Sequence, residues 1–189
     1  MIFEALSFLS DEINEYFRNK LKIKEDKVIL SSIVDAKGDI AVDGSNKILI
    51  TLINIEKETS FNNIPVSNHN LTSKSNPLQI NLYLMFSAYF NRGNYGESLR
   101  FISFILAYFQ HKNVFNQQNS PGLDNGIDKL VFELQILSQE QLNSIWASLG
   151  AKYMPSVVYK MRLLNIDESI IQEYRPAIAA IENDPSVLR

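Results

Sequence analysis

The stretch that decides the fold is "LQINLYLMFSAYF", which runs from Leu78 to Phe90 directly after Pro77. Its even positions are all apolar, whereas its odd positions are mostly polar but include large contact residues. Because successive side chains of a strand point to opposite faces, this alternation predicts a β-strand with one buried face. The odd face carries Tyr83, Met85 and Tyr89, and large contact residues of this kind favour a protein interface there.

Strands are also predicted before this segment. Val28–Val34 has the composition of a short strand, and the turn-rich stretch after it has room for a brief strand at Ile40–Val42. Lys47–Ile55 is apolar on both faces, which is typical of a central strand with cover on each side. Glu56–Asn76 has no periodicity and is rich in asparagine and serine, so it is predicted to be a long, exposed and mobile loop.

Three helices are predicted from apolar residues that recur every three or four positions. The first runs from Ile2 to Lys20. The second starts at Asn94, which with Glu97 resembles a capping box, and ends near His111. Its predicted buried residues are Leu99, Ile102, Ile105, Leu106 and Phe109.

The third helix lies between two further strands. Ser138 and Gln141 form a capping box at its start, and Gly150 is placed to take the left-handed conformation at its end. Its predicted buried residues are Leu142, Ile145, Trp146 and Leu149.

The strand before that helix covers Asp128–Leu137 and is predicted to turn four apolar residues inward: Leu130, Phe132, Leu134 and Ile136. The last strand covers Lys152–Leu163. Pro155 cannot donate a backbone hydrogen bond, so this strand is predicted to lie at an edge or to bulge there. Lys152, Lys160 and Arg162 share one face of it, a weak basic stripe that fits either solvated surface or a protein contact.

The element order predicts an α+β domain with a mainly antiparallel four- to five-stranded sheet packed with about three helices. Residues 1–164 would form this domain and 165–189 an acidic tail or arm with five acids and two bases. Ile170 and Tyr174 are isolated apolar residues in that tail, and we predict that they dock on a neighbouring protein subunit.

Composition excludes several functions. The chain has no cysteine, a net charge of −3 and two histidines, His69 and His111, without metal-ligand neighbours. Its longest strongly apolar run, Phe101–Phe109, is too short to span a membrane, and its amino terminus does not read as a secretory signal. We therefore predict no catalytic, cofactor-binding or metal site, no enzymatic activity, and no nucleic-acid or membrane partner.

Four segments in order resemble the amino-terminal domain of one protein family: "MIFEALSFLSDEINEYF", "KILITLINIEKE", "LYLMFSAYFNRGNYGESLRFISFILAYFQHKNVF" and "LNSIWASLGAKYMPSVVYKMRLL". That family is the cap, or tail-terminator, family of phage-tail-like contractile injection systems. The matching positions include Tyr89-Phe90, Tyr95, Trp146, Leu149-Gly150, Tyr153, Pro155-Ser156, Tyr159 and Arg162. The resemblance covers Met1 to about Leu164, and no catalytic residues carry over from it.

The resemblance implies a structural role in a bacterial particle. Such a cap forms a ring, expected to be a hexamer, that ends polymerisation of tube and sheath and holds the sheath to the tube. Its partners would be further copies of itself and the tube and sheath proteins. It would be assembled in the cytoplasm, within an injection particle that can be released from the cell.

Two alternatives remain open at the level of sequence. The chain could be a generic protein-interaction adaptor, or a small-ligand-binding α+β domain with a pocket under the 56–76 loop.

Overall fold

The alternating segment forms the third strand of a six-stranded sheet. A computed structural model of the protein describes residues 2–35, 37–42, 46–58 and 78–166. Its elements in chain order are α1 (Ile2–Leu21), β1 (Val28–Leu30), β2 (Lys47–Lys57), β3 (Leu78–Tyr89), α2 (Tyr95–His111), β4 (Val114–Asn116), β5 (Lys129–Gln135), α3 (Gln139–Ser148) and β6 (Ser156–Ile166).

The strand order is β1-β2-β3-β6-β5-β4. The β1–β2 pair is parallel and the other four pairs are antiparallel. The predicted α+β class with about three helices is therefore confirmed, but the sheet is mixed and has more strands than the four or five predicted. The additional strand is β4, a three-residue edge strand that is too short to show a period in the sequence.

One face of the sheet packs against α1 and α2. The β3 side chains on this face lie in the main hydrophobic core, here called the helix-side core. The even positions of β3 from Ile80 to Ala88 are buried there, as its alternation predicts. The ring of Phe86 lies at its centre, with centroids 5.4 Å from Phe109 of α2 and 5.8 Å from Tyr159 of β6. Edge-to-face pairs of this kind stabilise the core beyond the area they bury.

The second face of the sheet is covered only in part, by α3. The buried residues of this smaller cluster, here called the α3 cluster, are Ile33, Leu49, Met85, Trp146 and Val158. Leu142, Ile145 and Leu149 of the third helix pack against them, which confirms the predicted apolar side of that helix. Leu49 faces this cluster while Ile48 and Ile50 face the helix-side core, so the prediction that β2 is central and covered on both faces is confirmed.

The prediction that the last strand lies at an edge or bulges at Pro155 is wrong. β6 lies between β3 and β5 and pairs with both. Pro155 falls just before the strand, where its missing donor does no harm. Its carbonyl oxygen accepts a 2.9 Å bond from the backbone nitrogen of Ala88. The predicted alternation of β6 is confirmed where side chains are described, since Tyr159, Met161 and Leu163 face the helix-side core and Val158 the α3 cluster.

Two predictions of buried residues are wrong in part. In β5, Leu130 and Phe132 are buried as predicted, but Leu134 is 45% exposed and Ile136 is 93% exposed. In α2, Ile102, Ile105 and Phe109 are buried and Leu106 packs against the core, but Leu99 is 44% exposed. The spacing of these residues places them on the apolar face of their element. It does not tell where the elements that cover this face end.

Of the two predicted capping boxes, the one at α3 forms and the one at α2 does not. At α3, Ser138 and Gln141 make both reciprocal bonds, and Gly150 has φ of 65°, as predicted. At α2, Asn94 makes no side-chain cap bond. Its amide nitrogen lies 3.3 Å from Oδ1 of Asn46, and Glu97 pairs with Arg100 instead.

The remaining differences concern the ends of elements. β1 stops at Leu30, and the stretch predicted to complete it contributes only an isolated bridge between Val34 and Ile40. β6 continues two residues past 164, and the division into 1–164 and 165–189 remains a prediction. Most of the predicted 56–76 loop lies outside the described residues, as do Ile170 and Tyr174.

Candidate interaction surface

The part of the second sheet face that lies beyond α3 is polar and is here called the open half. Asn81 and Glu58 are buried within it, and Tyr83, Lys160 and Arg162 are half-buried. Strand register aligns its residues in two rows that cross the sheet. One row runs Glu133, Lys160, Tyr83, Asn54, and the next runs Val131, Arg162, Asn81, Glu56. A bulge in β2 between Leu52 and Asn54 sets this alignment.

Charged and hydrogen-bonded pairs link the strands of the open half. The hydroxyl of Tyr83 donates to Oε2 of Glu56 at 2.8 Å. Partial burial, and then this bond to a carboxylate, raise the pKa of Tyr83 above its ordinary value. The guanidinium of Arg162 lies 3.3 Å from Glu133, and Nζ of Lys160 lies 4.0 Å from Glu58. Three acids and two bases therefore nearly balance here.

The predicted basic stripe is partly neutralised by these carboxylates. Lys160 and Arg162 each lie beside a carboxylate of their own chain, so the stripe is not a free cationic surface. Such a surface suits a partner that offers charges of both signs, because a partner of one sign would compete with the internal pairs.

Two polar atoms at the centre of the open half are buried without a hydrogen-bond partner among the described residues. They are Oδ1 of Asn81 and Nε of Arg162, which belong to register partners on β3 and β6. An unsatisfied buried polar atom costs about 1–3 kcal/mol. These two atoms are therefore unsatisfied and buried within the described part of the chain.

The structure brings together only some of the predicted interface residues. Tyr83, Lys160 and Arg162 lie side by side on the open half. Tyr89 is half-buried against the α3 cluster, and Lys152 is exposed in the segment between α3 and β6. Met85 is 0% exposed because α3 covers it, so its side chain is not available to a partner.

Both edges of the sheet carry a feature that sequence reasoning missed, an asparagine that binds the outward backbone groups of the edge strand. At β1, Asn14 of α1 accepts from the nitrogens of Lys27 and Val28 at 2.9 Å each and donates to the carbonyl of Val28 at 2.8 Å. At β4, Asn119 accepts from the nitrogen of Asn116 and donates to the carbonyl of Val114, both at 3.0 Å.

These contacts close the edges locally, because they occupy the groups that another strand would use. The sequence signal at β1 was a polar residue on the apolar side of α1, since Asn14 lies three residues before the buried Phe17.

The described part of the chain contains neither a metal-ligand cluster nor a membrane-spanning helix. Within it, no group of three or more histidine, cysteine, aspartate or glutamate side chains could hold a metal ion. No helix among the same residues has the length and apolar content to cross a membrane.

Comparisons with known proteins agree on one kind of particle. The fold resembles the sheath/tube terminator of PVC, an extracellular contractile injection system, in its extended state. The TM-score is 0.53 with 10% identity, over 100% of this chain and 65% of that one. It also resembles the tube-terminating cap of the anti-feeding prophage, with TM-score 0.52 and 13% identity, over 82% of this chain and 52% of that one.

This chain thus spans less than two thirds of the length of both structures, and at these identities the likeness shows the fold alone. No curated protein matches by sequence. The family model described as the Pvc16 N-terminal domain, however, matches residues 5–180. The match covers nearly the whole chain, confirms the resemblance found in the sequence, and shows that the chain belongs to the Pvc16 N-terminal domain family.

Proposed function

We propose that this protein is a structural cap, or tail terminator, of a contractile injection particle. In this role it ends polymerisation of the tube and sheath and holds the sheath to the tube. The observation that carries the proposal is the family match over residues 5–180, supported by a fold shared with a sheath/tube terminator and a tube-terminating cap. It acts by binding and not as an enzyme, which agrees with the polar contacts of the open half.

A cap of this kind works as a ring, and we propose a hexamer. A closed ring needs heterologous contacts, in which one surface of a subunit meets a different surface of the next. The open half supplies one such surface, with Tyr83, Lys160 and Arg162 as contact residues and their internal carboxylate partners beside them. Tyr89 and Lys152 extend it toward α3.

The acidic tail is a second proposed contact. Ile170 and Tyr174 are its apolar anchors, with five acids and two bases between residues 165 and 189. Lys160 and Arg162 have carboxylate partners within their own chain, so they are poor receptors for this acidic tail. Lys152, which is exposed, is the better candidate receptor.

The partners that follow are further copies of this chain and the tube and sheath proteins, with no nucleic acid, membrane or cofactor. Assembly takes place in the bacterial cytoplasm, and the finished particle can leave the cell. The negative net charge supports the absence of a nucleic-acid partner, since phosphate binding depends on lysine and arginine.

The test is the length distribution of particles from a strain that lacks this chain, measured in electron micrographs. We expect tubes and sheaths of uncontrolled length, or sheaths that contract early, and recovery on re-expression of the full chain. A narrow, unchanged distribution of stable extended particles in the deletion strain would contradict the proposal.

A further inference from the structure

α3 is attached to the sheet through fewer buried side chains than α2. It buries one of its own residues, Trp146, whereas α2 buries six. Among the described residues, no hydrogen bond or ion pair joins the segment 138–154 to the rest of the chain, because the bonds of this segment lie within it. Apolar packing in the α3 cluster is therefore what holds this helix against the sheet.

Three polar atoms in this packed region are buried without a hydrogen-bond partner among the described residues. They are Nε1 of Trp146 and the hydroxyl oxygens of Ser87 and Ser156. Ser87 lies between Met85 and Tyr89 on the sheet face of the α3 cluster, and Ser156 is its register partner on β6. Burial without a partner disfavours the packed state, whereas water satisfies the same atoms when the helix is displaced.

The local structure of α3 does not depend on the sheet. The capping box of Ser138 and Gln141 completes the start of the helix, and Gly150 in the left-handed conformation follows its end. The ring of Tyr153 packs edge-to-face on Trp146 with the centroids 5.8 Å apart, so the two rings can move together. The segment from Ser138 to Tyr153 therefore has the internal contacts of a single body.

The rest of the fold stays connected without α3. β5 pairs with β6 as far as Gln135 and Val158, and the carbonyl of Pro155 accepts from Ala88, so the sheet fixes the chain on both sides of the segment. The helix-side core lies on the other face and contains no residue of α3. Opening of α3 therefore disrupts the α3 cluster alone, and regions with few buried contacts open at lower free energy than the whole domain.

We propose that α3 is a cover that opens as a unit while the sheet and the helix-side core stay folded. Opening brings Met85 to the surface together with the hydroxyls of Ser87 and Ser156, which then bond to water. The three unsatisfied polar atoms favour this opening, and the apolar packing around Trp146 opposes it. The inference goes beyond the proposed function and does not depend on it.

The test uses the full chain, which has no cysteine, so that a single introduced thiol gives an unambiguous signal. Leu84 and Met85 are neighbours on β3 and both are 0% exposed, but Leu84 lies in the helix-side core and Met85 under α3. Met85→Cys and Leu84→Cys are therefore matched in burial and differ in the face that they probe. The rate of thiol labelling in the native protein is measured for each variant, and its free energy of unfolding by urea titration.

We expect Met85→Cys to react at least about a hundredfold faster than its own global unfolding allows, whereas Leu84→Cys should react only through global unfolding. Adding Ser87→Ala to Met85→Cys removes one unsatisfied hydroxyl and should slow labelling about fivefold or more. Adding Trp146→Ala instead should speed it, because Trp146 is the residue that α3 buries.

Hydrogen exchange of the unmodified chain, followed by NMR, provides a second measurement if Met85→Cys disturbs folding. The amides of α3 should exchange together and faster than those of α2. Low concentrations of urea should barely change the exchange of α3, because its opening exposes little surface.

Three results would overturn the proposal. Labelling of Met85→Cys at the rate set by its global unfolding would show that α3 does not open separately. An unchanged or faster rate after addition of Ser87→Ala would contradict the role of the buried hydroxyls. Exchange of the α3 amides with the same rate and urea dependence as the α2 amides would show that the two helices open only together.

Discussion

The two faces of the sheet differ in what covers them, and the difference separates stability from assembly. On the first face, β3 and β6 lie under α1 and α2, and the phenylalanine and tyrosine rings of that core interlock. On the second face, α3 covers only the region around Met85 and Trp146, and the rest is the polar open half. We expect the first face to hold the fold together and the second to supply the contact with partners.

The largest expected effect tests the covered face. Phe86→Ala removes a fully buried ring that contacts α2 and β6, and we expect it to lower the free energy of unfolding by about 3–5 kcal/mol. Urea unfolding followed by circular dichroism measures it. Leu99→Ala, at an exposed leucine of α2, is the control and should change stability by less than about 0.5 kcal/mol. Similar losses in the two variants would mean that the helix-side core is not the main source of stability.

The next effect tests whether Met85 belongs to the fold or to an interface. Met85→Ala should destabilise the isolated protein by about 2–5 kcal/mol, because its side chain is fully buried under α3. We expect the lower part of that range, since the α3 cluster is small and can partly close around the cavity. A variant of unchanged stability that failed to assemble would restore Met85 as an interface residue.

A smaller effect compares the two sheet edges. Asn14→Ala leaves two backbone nitrogens and one carbonyl of the β1 region without this partner, and Asn14 is buried. We expect a loss of about 1–3 kcal/mol in the free energy of unfolding. Asn119→Ala should cost less, because Asn119 is exposed and water can replace its bonds. The reverse order in parallel urea titrations would contradict this reading of the edges.

The smallest effect on stability concerns the open half. Glu133→Gln removes the charge beside Arg162 in a partly exposed pair, and we expect a change of less than about 1 kcal/mol in the free energy of unfolding. Its effect on ring formation should be larger, because a free Arg162 changes the charge balance that the neighbouring subunit meets. Rings of unchanged yield and salt dependence would exclude this part of the open half from the subunit contact.

The sequence predicted those features that depend on local period and local chemistry. The alternation of Leu78–Phe90 identified the central strand and its buried face, and Ser138 with Gln141 identified the start of α3. Features that depend on which elements contact each other could not be predicted from the sequence. Met85 has the residue type of an interface, but the position of α3 above it is a matter of tertiary packing.

The same limit explains the errors at the strands. Pro155 marks a place where a donor is missing, and sequence alone does not tell whether that place is an edge or the residue before a central strand. β4 is too short to carry a pattern, so the partial cover of β5, which leaves Leu134 and Ile136 exposed, could not be predicted. The open half itself depends on register among four strands and on the bulge in β2.

The central claim, that this protein forms a ring that caps the particle, is tested most directly by class-averaged electron micrographs of particle ends. The particles should come from wild type, from the deletion strain, and from the deletion strain complemented with the full chain. We predict a closed ring of this chain, with six subunits, at one end of the extended tube and sheath, absent without the gene and restored with it. Particle ends that look the same in all three preparations would contradict the account.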